Sequence, residues 1–400
     1  MAGTLKDRFL LSVLSPLSIL LKITGVFVIQ NAETQWRQSL YRFWTFVVLI
    51  SAVQSNIYIF VRRTLIIEFL LSGQQINVNR LIQVLLNELI RLSALVSDTI
   101  IHLSLVFKIW PSVTLFLETL DSVDLDFGRP NLSPIKRYSI YGLIYVLVTV
   151  VLNWIFSIYW DLNHPVRLVY WLDMLQNFIR IFANQGFTVI PVWIFIICGQ
   201  LCIFYTRKLI ANLKLLNFVV RNATGVPSRI VAQQRTFAHL RSLKQLYEAA
   251  DLLHRHFSTI LAVNCFLTVV TMLTSSYYVI EFFKSGRLIV LCWDASDVLD
   301  SFVRFWLICH TSDRIRETTT ECISVLRSLR DAGNEGNLSE CNNKITSYII
   351  EISQIRKNIE RHSLKGVLSL SKRLIIPTLE IIFTYLLIIY QFQSAGEGSP

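Results

Sequence analysis

Seven separate runs of roughly 20 or more mostly apolar residues constrain this chain more than anything else in it. They are Phe43–Val61, Gln83–Phe107, Tyr138–Trp160, Trp171–Tyr205, Phe257–Ile280, Leu288–Cys309 and Leu374–Phe392. A helix rises about 1.5 Å per residue, so each run is long enough to cross a hydrocarbon layer about 30 Å thick. The fourth is long enough to tilt strongly or to project beyond the bilayer. The spacing predicts an all-α, polytopic membrane protein with seven spans.

Composition agrees. Hydrophobic residues make up 53% of the 400 and charged residues 16%, with a mean hydropathy of +0.50. Soluble domains carry about 25% charged residues, and a chain this apolar cannot cover its own surface with polar groups in water. The net charge of +11 has a membrane explanation as well. Residues 1–42, 108–137, 206–256 and 310–373 together hold 29 Lys and Arg, whereas 62–82, 161–170, 281–287 and 393–400 hold 6. Arg91, Arg180 and Arg304 fall inside spans. Basic residues collect on the cytoplasmic side, which predicts a cytoplasmic N-terminus and an extracellular C-terminus. A nucleic-acid partner would need the basic residues gathered on one soluble face, and none is expected.

The expected organisation follows. A cytoplasmic N-terminal segment, 1–42, precedes spans one to four in 43–205. The apolar stretch Phe9–Ile29 lacks a cleavage site and contains Pro16 and Lys22, so it reads as a retained amphipathic or shallowly inserted helix. Residues 206–256 form a cytoplasmic helical extension and 257–309 hold spans five and six. A cytoplasmic loop and anchor helix, 310–373, leads to span seven in 374–392. The tail 393–400, Gly/Ser-rich from Ser394, is expected to be extracellular and disordered.

Two basic stretches have helical apolar spacing: Phe237, Leu240, Leu243 and Leu246-Tyr247, then Ile345, Tyr348-Ile349, Ile352, Ile355 and Ile359. Such faces must be buried, in a helical bundle below the membrane, against neighbouring subunits, or on the membrane surface. The sequons at Asn131, Asn222 and Asn337 all fall on the expected inner side and should carry no glycan. Cys198, Cys202, Cys265, Cys292 and Cys309 lie in apolar runs, while Cys322 and Cys341 do not. No structural disulfide is expected.

Enzyme chemistry finds no foothold. The chain has no P-loop, G-x-G-x-x-G, G-x-S-x-G or H-E-x-x-H. His254 and His256 flank Arg255 at a helix end, and His102 and His310 stand apart, so neither metal nor cofactor is expected.

Span seven ends Thr384-Tyr385-Leu386-Leu387-Ile388-Ile389-Tyr390-Gln391-Phe392. Thr-Tyr, five hydrophobic residues and Gln-Phe close to the C-terminus resemble the signature of insect gustatory receptors. The resemblance implies a tetrameric, ligand-gated, nonselective cation channel related to insect odorant receptors, homomeric or heteromeric, in the plasma membrane of gustatory neurons. It implies that the last span lines the pore and that Gln391 and Phe392 sit at an extracellular gate. It also implies that 345–359 is the inner half of a split seventh helix. From spacing alone, Tyr385, Ile388-Ile389 and Phe392 share one helix face that could close a pore by dewetting. Gln391 could instead simply end the helix at the interface.

Polar groups within spans are costly and are functional candidates by default. Asp294, Asp297, Ser301 and Arg304 form one stripe on span six, and Asp300 can pair with Arg304. Candidate ligand-binding residues are Glu88, Arg91, Trp154, Tyr159, Trp171, Asp173, Gln176, Tyr277, Tyr278, Trp293, Asp294 and Asp297, with Asn153 and Ser275 nearby. Such a lining suits small organic molecules; an interfacial aromatic belt against membrane lipids is the competing reading. The resemblance implies that the ligand is a small-molecule tastant, bitter or otherwise non-sugar because such receptors are numerous in the family. A G-protein-coupled receptor would carry Asn-Pro-x-x-Tyr in its last span, and a transporter would show repeated halves; the sequence has neither.

Overall fold

The computed structural model describes residues 110–127, 132–163, 170–222, 226–286, 288–335, 339–362 and 370–397, with scattered positions before 110. The N-terminal stretch Phe9–Ile29, spans one and two, and the candidates Glu88 and Arg91 lie outside the described residues.

Among the described residues the chain is helical throughout, without strands. We number the helices α1 (Trp110–Phe127), α2 (Ser133–Asn163), α3 (Tyr170–Asn222), α4 (Val226–Ser285), α5 (Leu288–Glu335), α6 (Ser339–His362) and α7 (Ile375–Glu397), with a 3-10 turn at Lys372–Leu374 before α7. Spans three, four, five, six and seven fall on α2, α3, α4, α5 and α7.

Length decides how these helices are used. The 60 residues of α4 extend about 90 Å, three times the hydrocarbon thickness. Both α3, with 53 residues, and α5, with 48, also outrun a bilayer. Their polar ends therefore form a second, membrane-free part of the bundle. There α6 lays Ile345, Ile349 and Ile352, all buried, against α4 and α5. This burial selects the packed bundle over the membrane-surface alternative. Exposed ion pairs decorate it, Lys244–Glu351 at 2.7 Å between α4 and α6 and Lys214–Glu321 at 3.1 Å between α3 and α5. Pairs this exposed add little stability and mainly set register.

The core is built on α3. Within the most apolar 18 residues of Thr188–Val219, 89% are buried, which marks a helix apolar on all sides there as the centre of its bundle. Helix α2 presents Tyr141, Ile144, Val148, Val151 and Ile155 outward, a one-sided apolar stripe that suits lipid. Two glycines set the helix crossings. A methyl group added at Gly142 would lie 2.9 Å from the Trp193 ring, and one at Gly199 would lie 2.6 Å from Thr311 Cγ2. Close backbone approach at small residues is how membrane helices gain packing. Gly286, with φ +70°, ends α4 in the left-handed conformation that glycine adopts freely, so α5 folds straight back along α4.

Two sequence expectations need revision and a third needs qualification. Residues 110–127, read as part of a connecting loop, form α1, because Val113, Phe116, Leu117 and Leu120 recur at helical spacing and are buried. Helix α1 packs against α4. The tail does not begin after Phe392: α7 continues to Glu397, since residues 393–397 contain no proline to stop it. Finally, Leu288–Cys309 lies within α5 as expected, but it is a polar stretch rather than a plainly apolar one, because it carries Asp294, Asp297, Asp300 and Arg304.

Candidate pore helix and polar cluster

Among the described helices that are apolar enough to span a membrane, α7 is the least covered. Only 11% of the most apolar 18 residues of Lys372–Gln391 are buried, against 89% of those in α3. At 100° per residue, two sides separate. Thr378 and Ile382 are buried, and Leu386 and Ile389 are half-buried beside them on the side facing the chain's own helices. The opposite side carries Glu380, Thr384, Leu387 and Gln391, all exposed, at spacings of four, three and four. The Thr384 hydroxyl donates to the Glu380 carbonyl oxygen at 2.8 Å, so its polarity is partly turned inward along the helix.

The residues expected to form one gate are thereby distributed. Ile388 is exposed on the flank of the Glu380–Gln391 stripe, Tyr385 is exposed but lies one turn from Ile382 and two from Thr378 at the edge of the covered side, and Ile389 turns toward the rest of the chain. Phe392 lies on the helix, with its side chain outside the described residues. Sequence reasoning missed Glu380. A charge one turn inside an apolar run was the signal that could have found it.

A second polar group joins α2 to α5. Arg304 and Asp300 pair at 2.7 Å, with side chains 9% and 13% exposed. The Tyr145 hydroxyl donates to the Asp300 carboxylate, and Arg304 also reaches Ser301 Oγ at 3.5 Å. Two turns further toward the α4–α5 connection, Trp293 Nε1–H donates to Asn153 Oδ1 at 3.1 Å, and the Trp293 ring stacks on Phe156 at 6.0 Å. Asp294 and Asp297 lie half-buried between these two contacts. An i, i+4 pair places Asp300 and Arg304 on one helix face; the long-range partner Tyr145 could not be read from spacing.

The remaining candidates lie on α2, α3 and α4. Trp154 is partly buried against the core and Tyr159 is exposed, both on α2. Tyr277 is buried on α4 and meets Tyr278 at 5.4 Å, which in turn stacks on Phe282 at 5.8 Å. Trp171, Asp173 and Gln176 lie in the first two turns of α3, their side chains outside the described residues. Among the described residues, no group of three His, Cys, Asp or Glu side chains could hold a metal.

A family model described as 7tm Chemosensory receptor matches residues 14–396, nearly the whole chain. The chain belongs to this chemosensory receptor family. No curated protein sequence matches the receptor significantly. Its fold is similar to that of the insect olfactory receptor OR5 from Machilis hrabei, solved in complex with eugenol. The TM-score is 0.53 at 11% identity, over 95% of this receptor and 97% of that chain. At that identity the likeness establishes the fold alone, an all-helical one. Together with the family it points to a receptor rather than an enzyme.

Proposed function

We propose that this receptor is a tastant-gated, nonselective cation channel subunit of gustatory neurons, working as a homotetramer or with other gustatory receptors. Bitter or other non-sugar small molecules are its ligands. The observation that carries the reading is the exposed Glu380–Thr384–Gln391 stripe on an otherwise apolar α7. A carboxylate facing lipid would be expensive. It is accommodated where four copies of α7 surround water, and there four Glu380 side chains would favour cations while Gln391 rings the outer mouth. Leu387 and Ile388 would supply the apolar constriction that opens and closes, with Tyr385 and Phe392 as the further gate candidates of the motif.

The ligand would bind along the α2–α5 seam, with Trp293, Asn153, Asp294 and Asp297 at its centre. Trp154, Tyr159, Tyr277 and Tyr278 are the further candidates on α2 and α4, and Glu88, Arg91, Trp171, Asp173 and Gln176 are proposed as contributors from the sequence alone. The similar olfactory receptor's complex with a small molecule supports this class of ligand. Whole-cell recording against a tastant panel, with G-protein signalling blocked, tests the proposal. Evoked cation current that persists under the block, and a lower cation preference in Glu380→Gln, are expected. Evoked responses that vanish with the G protein would favour a G-protein-coupled receptor, and ligand flux without conductance a transporter.

A further inference from the structure

The 3-10 turn that starts the pore helix is short of a cap. Its N-cap residue, Ser371, is extended at φ −148° and ψ 159°, and its side chain makes no capping hydrogen bond. The turn's own bonds are Leu374 N–H to the Ser371 carbonyl at 2.9 Å and Ile375 N–H to the Lys372 carbonyl. The first amide, that of Lys372, instead donates to Asp313 Oδ2 at 2.7 Å, 59 residues away on α5. Asp313 is 5% exposed, and its other oxygen accepts from Arg316 Nη2 at 2.7 Å. A buried carboxylate at a helix start is well placed, because free amides and the helix dipole both favour negative charge there.

The same stretch of α5 is wedged from behind. Thr311 and Ile315 bracket Asp313 and pack onto Gly199 of α3, where even an added methyl group would not fit. Asp313 thus stands between a tight α3–α5 crossing and the first turn of α7. Direct α5–α7 packing is sparse by comparison. We infer that Asp313 is the positioning residue that couples α5 to the pore helix, capping α7 in trans so that a shift of α5 moves the pore. This inference rests on the channel reading above.

A four-variant set isolates the bond. Asp313→Ala removes the acceptor. Lys372→Pro removes only the donated N–H and its charge, since proline suits a first helical position and the extended Ser371 backbone tolerates a following proline. Lys372→Ala controls for the charge, and Asp313→Asn keeps one acceptor oxygen. The readouts are open probability in excised patches without added ligand, surface expression, and hydrogen exchange of residues 372–375.

Asp313→Ala and Lys372→Pro should each change open probability about fivefold, in the same direction, and their combination no further. Lys372→Ala and Asp313→Asn should stay within about twofold of the parent. Exchange of the turn should quicken in Asp313→Ala at normal surface expression. Faster exchange with parental open probability would make Asp313 a structural cap only and overturn the inference, leaving the channel reading intact. Unchanged exchange would show that the bond does not hold the turn and overturn it as well. A parent chain that reaches the surface and conducts nothing, alone or co-expressed with other gustatory receptors, would instead sink the channel reading, and the coupling with it.

Discussion

Arg304 shows how a single buried charge is made tolerable. Its partner Asp300 lies 2.7 Å away, and Tyr145 from α2 satisfies the same carboxylate. Removing one member leaves the other charged and alone, which costs about 3–5 kcal/mol, while replacing both with apolar residues is often close to neutral. Arg304→Met should therefore lower the detergent melting temperature sharply, and Asp300→Leu combined with Arg304→Met should recover most of it. Equal melting of single and double variants would mean the pair contributes nothing to the α2–α5 seam. A pH argument applies to Cys322, outside the apolar runs and fully buried beside Tyr247. Burial pushes its thiol up to about 12. At pH 8 that leaves roughly one thiolate in ten thousand, so maleimide should label Cys322 only after denaturation. Prompt labelling of the native receptor would contradict its burial.

At the scale of elements, the close crossings matter most. Gly199→Ala puts a methyl group 2.6 Å from Thr311 Cγ2, and overpacking of this kind costs about 1–3 kcal/mol. Thermal unfolding should report the loss, and Thr311→Ser, which removes the clashing methyl group, should restore part of it. Here the limits of the sequence are plain. Apolar run length located α2, α3, α4 and α7 because each must bury or span as a unit, and the spacing of Ile345, Ile349 and Ile352 announced the amphipathic α6. Gly199 gave no sign of its role, since a glycine in an apolar run looks the same whether or not another helix crosses it. The pore helix was legible in part. Its motif pointed to Gln391, but the facing of Tyr385, Ile388 and Ile389 depends on which side α4 and α5 cover. That also left Glu380 unnoticed.

For the whole molecule, the family establishes a membrane-spanning chemosensory receptor, and charge asymmetry predicts its orientation. With 29 basic residues on one set of connections and 6 on the other, an epitope placed after Pro400 should be reached by antibody on intact cells. Detection only after permeabilisation would invert the topology. The long polar ends of α3, α4 and α5 would then stand outside the cell, where Asn222 and Asn337 would be open to glycosylation.

The pore assignment is tested most directly by scanning cysteines along α7 and applying a charged, water-soluble thiol reagent during current recording. Modification should block current at Glu380, Thr384, Leu387 and Gln391 and leave Thr378, Ile382 and Ile389 unaffected. Block with the opposite periodicity, or at none of these positions in a conducting receptor, would contradict a pore lined by this face.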